Sequence, residues 1–91
     1  MFMQHRVLRK GLSATSMAGS VDNIFGMLAI REAARGDTWR LGDTGSALVL
    51  CQAMAVNGQE SFVMTVAVSN DQAGVGIIDA VNDKIRATQG L

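Results

Sequence analysis

The tripeptide Asp43-Thr44-Gly45 is the group of residues in this chain whose types and spacing could support catalysis. A carboxylate on such a turn can act as general acid and base in hydrolysis, provided that a second carboxylate shares its proton. The chain has 91 residues and carries the tripeptide once, so the second Asp43 would have to come from another copy. Hydrolysis by a homodimer is therefore one function that the sequence allows.

The residues around the tripeptide allow two interpretations. Residues 43–47, followed by Val49, resemble the motif of the retroviral-type aspartic proteases, which implies catalysis by Asp43. The resemblance is short, and Arg40 and Gly42 stand where that family has apolar strand residues. The same residues also fit a tight strand-to-helix turn, in which Asp43 or Thr44 caps a helix that starts near residue 46. We favour the helix cap and assign no catalytic residue.

Basic residues form the second group of candidate site residues. Residues 1–40 contain six basic and three acidic residues, a net charge of +3, whereas residues 41–91 contain two basic and five acidic residues, a net charge of −3. Arg, which predominates, suits bidentate contacts with phosphate. We therefore predict an N-terminal face that binds nucleic acid through its phosphates, without base recognition, and consists of Arg6, Arg9, Lys10 and Arg40.

Other kinds of site have little support. His5 has no cysteine or paired carboxylate at ligand spacing, so we expect no metal site. Gly74-Val75-Gly76 lacks the third glycine and the acidic residue of a dinucleotide-binding turn, so we expect no cofactor. Cys51 lies in an apolar run and is expected to be buried; as the single cysteine it cannot form an internal disulfide, which favours a cytoplasmic location. No apolar run approaches the length of a membrane span, so we expect no membrane association.

The elements that would position these residues alternate between strands and helices. We predict strands over residues 4–9, 37–41 and 61–68, and helices over residues 21–35, 46–56 and 71–89. Good helix formers favour the second helix, although its final Asn57-Gly58 pair would equally suit a strand ending in a hairpin turn. A C-terminal β-hairpin is the alternative to the last helix. The order predicts a single α/β (α+β) domain over residues 1–91, a two-layer sandwich with a β-α-β-α-β core and a C-terminal helix.

The first predicted helix is apolar over more of its surface than one core contact requires. In residues 21–34 the apolar side chains extend beyond the ~100° stripe that faces a core. We therefore expect a second side of this helix to be covered by another copy of the chain, in a dimer. The predicted interface residues are Ile24, Phe25, Met27, Leu28 and Ile30.

Residues 31–58 resemble the centre of the stage V sporulation protein S family, which belongs to the Alba superfamily. The resemblance rests on the Arg31-Glu32 pair, Gly42 and Gly58, and on the Ser-rich segment 13–19. It implies a β-α-β-α-β core, dimerisation, and nucleic-acid binding through basic residues on loops. The chain departs from the family in the length of its first helix, at Ala47-Leu48, and at the C-terminal end, where the family has a hairpin.

Three functions follow from these observations. The main prediction is a cytoplasmic, non-enzymatic module that self-associates and binds nucleic acid through its N-terminal basic face. The second is an assembly module that binds protein alone, through the apolar surface of residues 21–34. The third is a homodimeric, retropepsin-like aspartic protease that uses Asp43, which would require the chain after Gly45 to be extended and not helical.

Overall fold

A computed structural model describes residues 1–88, which begin with a strand, β1 (Phe2–Lys10), and a helix, α1 (Ala14–Met27). Ser13 is the N-cap of α1, because its Oγ accepts a hydrogen bond from the amide of Ser16 at 3.2 Å. The helix therefore starts earlier than the predicted residue 21, because Ser13 provides the cap.

The end of α1 corrects the predicted helix over residues 21–35. Ala29 adopts a left-handed conformation with φ 55°, and the amide of Ile30 donates to the carbonyl of Phe25 at 2.9 Å. This arrangement ends a helix and normally uses glycine at the left-handed position. Because Ala29, and not a glycine, occupies this position, the sequence does not indicate that the helix ends here. Residues 31–35 are therefore not helical but form an edge strand, β2 (Arg31–Arg35).

The sheet has five antiparallel strands in the order β1-β5-β4-β3-β2. Its remaining strands are β3 (Trp39–Asp43), β4 (Leu48–Asn57) and β5 (Glu60–Ser69). A short 3-10 segment (Gln72–Gly76) leads into the C-terminal helix, α2 (Ile77–Ala87). The predicted two-layer α+β class and the C-terminal helix are thus confirmed, and the alternative of a C-terminal hairpin is wrong within residues 71–88.

Strand β4 shows that the predicted helix over residues 46–56 is wrong. β4 is a central strand that pairs with β3 on one side and with β5 on the other. Asn57 ends it in a hairpin turn, where its Oδ1 accepts a hydrogen bond from the amide of Gln59 at 2.8 Å. Pairing on both sides satisfies the backbone of β4 and buries Val49, Cys51 and Ala53, which overrides the helix propensity of its alanines and leucines.

Both helices pack on the same face of the sheet. Small side chains on the strands, among them Cys51, Ala53 and Ala67, let the helices approach closely. The core between the two layers is formed mainly by Met17, Val21, Ile24 and Phe25 of α1, by Ile78, Val81 and Ile85 of α2, and by Val49 and Val63 of the sheet. Neither α1 nor α2 covers the opposite face. Within residues 1–88, no helix is long and apolar enough to cross a bilayer.

Candidate interaction surface

The Asp43-Thr44-Gly45 tripeptide lies at the end of β3 and begins the hairpin loop to β4. Asp43 accepts hydrogen bonds from the amide of Gly45 at 2.7 Å and from Arg31 Nη2 at 2.9 Å. Thr44 Oγ1 accepts from the amides of Ser46 and Ala47. The polar side chains therefore stabilise a turn between two strands, and the predicted helix cap is wrong.

The contacts of Asp43 also bear on catalysis. The hydrogen bond from the Gly45 amide, followed by the Arg31 guanidinium, holds the pKa of the Asp43 carboxyl below its usual value. The chain after Gly45 is extended, as the protease hypothesis requires, but in this single chain the carboxylate is engaged with its own hairpin loop and with Arg31. Catalysis by Asp43 would need a second Asp43 from another copy and stays a prediction.

The four predicted nucleic-acid-binding residues do not lie on one exposed face. Arg6 contacts Asp79 of α2 at 3.2 Å, on the helix side of the sheet. Lys10 is 2% exposed, and its Nζ donates to the carbonyls of Arg86 and Thr88 at the end of α2. Arg9 lies on the opposite face. Since the Lys10 ammonium is buried, β1 does not present the continuous basic stripe that the sequence predicted.

Arg40, the fourth predicted residue, belongs to a buried ion network. Its side chain is 8% exposed, and its Nε donates to Asp22 of α1 at 2.6 Å. Its Nη1 donates to the carbonyls of Gly36 and Trp39 at 2.6 and 2.9 Å. The Arg40 hydrogen bond is the main reason that the pKa of the Asp22 carboxyl lies below its usual value. Arg40 therefore ties α1 to the β2–β3 hairpin and has little charge to offer a phosphate.

The predicted interface residues lie mostly inside the protein. Ile24, Phe25 and Ile30 are buried in the core, and Leu28 packs partly buried against it. Met27, which is 63% exposed at the end of α1, is the member of this group that remains on the surface. The apolar width of residues 21–30 thus serves the core of the same chain, because the helix and the following turn both contact the sheet.

The side chains that point away from the helices form a second, largely apolar surface, here called the open face. Antiparallel register places them in cross-strand rows, because paired residues share a side of the sheet. The rows are Met3–Val68–Leu48, His5–Val66–Leu50–Leu41, Val7–Met64–Gln52–Trp39 and Phe62–Met54, of which His5, at the β1 edge, and Gln52 are the polar members. Val7, Leu48, Met54 and Phe62 are each about two-fifths to one-half exposed. Eleven apolar side chains therefore share a face that neither helix covers.

The charged groups of the open face lie at two diagonally opposite corners. Arg9 pairs with Glu60 at 2.7 Å, where β1 ends and β5 begins, and Arg9 also lies over the Phe62 ring. Arg31 pairs with Asp43 at 2.9 Å, where β2 begins and β3 ends. In the middle of the face, the Gln52 amide donates to Thr38 and to its neighbouring backbone. The centre of the open face thus contains apolar side chains and one internally bonded amide.

Sequence reasoning missed this surface because residues 48–56 were assigned to a helix. The signal was nevertheless present: β4 and β5 are apolar at both odd and even positions. An antiparallel strand with one solvated face usually alternates apolar and polar residues. A run that is apolar on both sides indicates that both faces of the sheet are to be covered.

Cys51 is buried on the helix side of β4, as predicted. Burial raises the pKa of its thiol to about 11, although Thr65 Oγ1 lies within 3.9 Å of the sulfur and opposes this shift.

We expect iodoacetamide at about pH 8 to alkylate the folded protein at least about 100-fold more slowly than the same protein in denaturant, measured by mass spectrometry. Equal rates in the two states would contradict the burial of this thiol.

Comparison with known proteins gives a fold likeness and no family. No family model and no curated protein matches the sequence. Among residues 1–88, no three His, Cys, Asp or Glu side chains lie together as a metal site would require. An uncharacterised protein from Bacillus thuringiensis has a similar structure, with a TM-score of 0.68, 9% identity, and coverage of 97% of this chain and 96% of that chain. This likeness concerns the fold alone.

Two further solved structures are more distant. The di-domain ARO/CYC protein BexL, from the BE-7585A biosynthetic pathway, matches with a TM-score of 0.46 and 12% identity, over 96% of this chain and 43% of that chain. The Zhui aromatase/cyclase from Streptomyces sp. R1128 matches with a TM-score of 0.46 and 9% identity, over 99% of this chain and 100% of that chain. The resemblance to the stage V sporulation protein S family remains a sequence-based prediction.

Proposed function

We propose that the protein is a small assembly module that binds another polypeptide through its open face. The observation that carries this proposal is the set of largely apolar cross-strand rows, with Gln52 and His5 as their polar members, on a side of the sheet that neither helix covers. A strand rises about 3.4 Å per residue, and neighbouring strands lie about 4.8 Å apart. The rows of the open face therefore cover an area on the order of 500 Å². The largest apolar patch on a typical monomer has about this area, roughly 300–600 Å², and such patches are often functional.

The chemistry of the face favours a polypeptide over nucleic acid. Phosphate binding depends on Lys and Arg side chains that are free to replace counterions. On this face, Arg9 and Arg31 are each engaged with a carboxylate at less than 3 Å. The remaining surface offers apolar side chains, which are stabilised by contact with other apolar side chains.

Photo-crosslinking at two methionines tests the proposal. Met54 lies on the open face and is 42% exposed, whereas Met27 is 63% exposed on the helix side and provides the control. We expect p-benzoylphenylalanine at position 54, activated in cells that make the full chain, to form an adduct with a polypeptide that mass spectrometry can sequence. The same residue at position 27 is expected to form no such adduct. Adducts from neither position, or equally from both, would contradict the proposal.

A further inference from the structure

We infer that the polypeptide bound to the open face is a second copy of this chain, an inference that rests on the proposed function. The area of the face fits a weak dimer. Two open faces, each on the order of 500 Å², would together bury about 1,000 Å², which is near the minimum for a biological interface and below the roughly 1,200–2,000 Å² of stable complexes. One copy of the face is thus enough to cover another, and a much larger partner is not required.

Charge also permits a second copy as the partner. The whole chain has a net charge of zero, so two copies do not repel each other at long range. The Arg and carboxylate side chains of the face are paired within each copy, at the Arg9–Glu60 and Arg31–Asp43 corners. These corners would lie in the solvated rim of the dimer, where charges cost little, while the apolar rows would form its centre. Among residues 1–88, the face thus presents no unpaired Arg or carboxylate that would select an acidic or a basic partner, and His5 lies at its β1 edge.

The shape of the face is compatible with sheet-on-sheet packing. Two twisted antiparallel sheets pack face to face with their strands rotated by about 30° and their mean planes about 10 Å apart. Across a two-fold axis, each contact of one residue with another is made twice, so every favourable pair of apolar side chains counts twice. β4 and β5, which are apolar on both sides, would then become interior strands of a four-layer helix–sheet–sheet–helix dimer.

The edges of the sheet suit self-association less well than the face. β1 carries basic side chains and no acidic one, which disfavours an antiparallel β1–β1 contact, although Arg6 and Arg9 are paired with carboxylates of α2 and β5. At the other edge, β2 has five residues and an irregularity between Glu32 and Ala34. Short, bulged or charged edges oppose strand pairing between molecules. The open face is therefore the surface that a second copy would use.

Sedimentation velocity on the purified full chain tests this inference. Over about 1 to 100 μM we expect a monomer–dimer equilibrium, accompanied by a blue shift of the Trp39 emission as dimers form, because Trp39 lies in a row of the face. Met54→Lys places a charge in the interface and is expected to raise the dissociation constant at least about tenfold. Met27→Lys, the same change on the helix side, is expected to leave it unchanged.

The outcomes separate the inference from the function on which it rests. A wild-type protein that stays monomeric throughout, or equal weakening by both lysine variants, overturns the inference. If position 54 then crosslinks to a different polypeptide, the proposed function stands; if it crosslinks to none, both fail. Should circular dichroism show that Met54→Lys does not fold, Val7→Lys, at a half-exposed position on β1, replaces it with the same expected effect.

Discussion

Replacing Asp22 with asparagine is expected to lower the free energy of unfolding by about 2 kcal/mol, because it removes the nearest counter-charge of a buried guanidinium; the 38% exposure of Asp22 makes the loss smaller than for a fully buried pair. Asp22 receives Arg40 Nε at 2.6 Å and Arg35 Nη2 at 2.8 Å, and the Arg40 side chain is 8% exposed. Glu32 lies farther from Arg40, at 3.8 Å. We expect the loss to appear in urea denaturation monitored by circular dichroism, at one fixed protein concentration.

A matched control is available elsewhere on the helices. Asp79 also pairs with an arginine, Arg6, but both side chains are exposed, at 70% and 38%. Asp79→Asn is therefore expected to change the free energy of unfolding by less than about 1 kcal/mol. Comparable losses from Asp22→Asn and Asp79→Asn would show that the burial of Arg40 does not govern this effect.

The pH dependence of Asp22→Asn follows from the lowered pKa of Asp22. Because its pKa is lower in the folded protein than in the unfolded chain, the ionised carboxyl stabilises the fold above the unfolded value of about 3.9. This contribution is lost as the pH falls through the folded pKa. The stability difference between the wild type and Asp22→Asn should thus be constant near neutrality and shrink below about pH 4. A difference that grows in acid would contradict the assignment.

Replacing Gly42 with valine is expected to destabilise the protein by about 3 kcal/mol, because no space exists for a side chain between β3 and α1. A Cβ at position 42 would lie 2.8 Å from Phe25 Cε2 and would also collide with Ile30 Cγ2. Phe25 and Ile30 are buried and cannot move without displacing α1 or the turn after it. Denaturation in urea measures the loss, and near-ultraviolet circular dichroism should show altered packing.

Gly19 supplies the control for Gly42. It is exposed on α1, and a Cβ there would have no atom within 4 Å. Since valine is no worse than glycine inside a helix, Gly19→Val should stay within about 0.5 kcal/mol of the wild type. If Gly42→Val keeps the stability of the wild type, or if both variants lose the same free energy of unfolding, then α1 and the turn after it do not pack against β3 as closely as described.

Local sequence patterns were sufficient to predict some of the secondary-structure elements of this protein. Enrichment in β-branched residues predicted β5, basic residues around an apolar pair predicted β1, and apolar residues three and four positions apart predicted α2. The apolar surroundings of Cys51 predicted its burial. Together these features determined the two-layer α+β class, because each depends on residues that are close together in the chain.

The predicted site depended on contacts that the sequence does not encode locally. From the sequence, Arg40 and Lys10 are expected to be surface cations. Folding places Asp22 next to Arg40 and the carbonyls at the end of α2 next to Lys10, so both cations are buried. The open face required β1, β3, β4 and β5 to be in register, so it could not be recognised while residues 46–56 were assigned to a helix.

The sequence by itself determined the class of fold, the first and last strands, the C-terminal helix and the burial of Cys51. Tertiary structure alone decided that residues 31–35 and 48–57 are strands, where α1 ends, and which cations are buried. The physical reason is that helix propensities amount to less than about 1 kcal/mol per residue. Strand pairing on both sides of β4, and apolar burial beneath α1, outweigh such preferences and depend on residues distant in the chain.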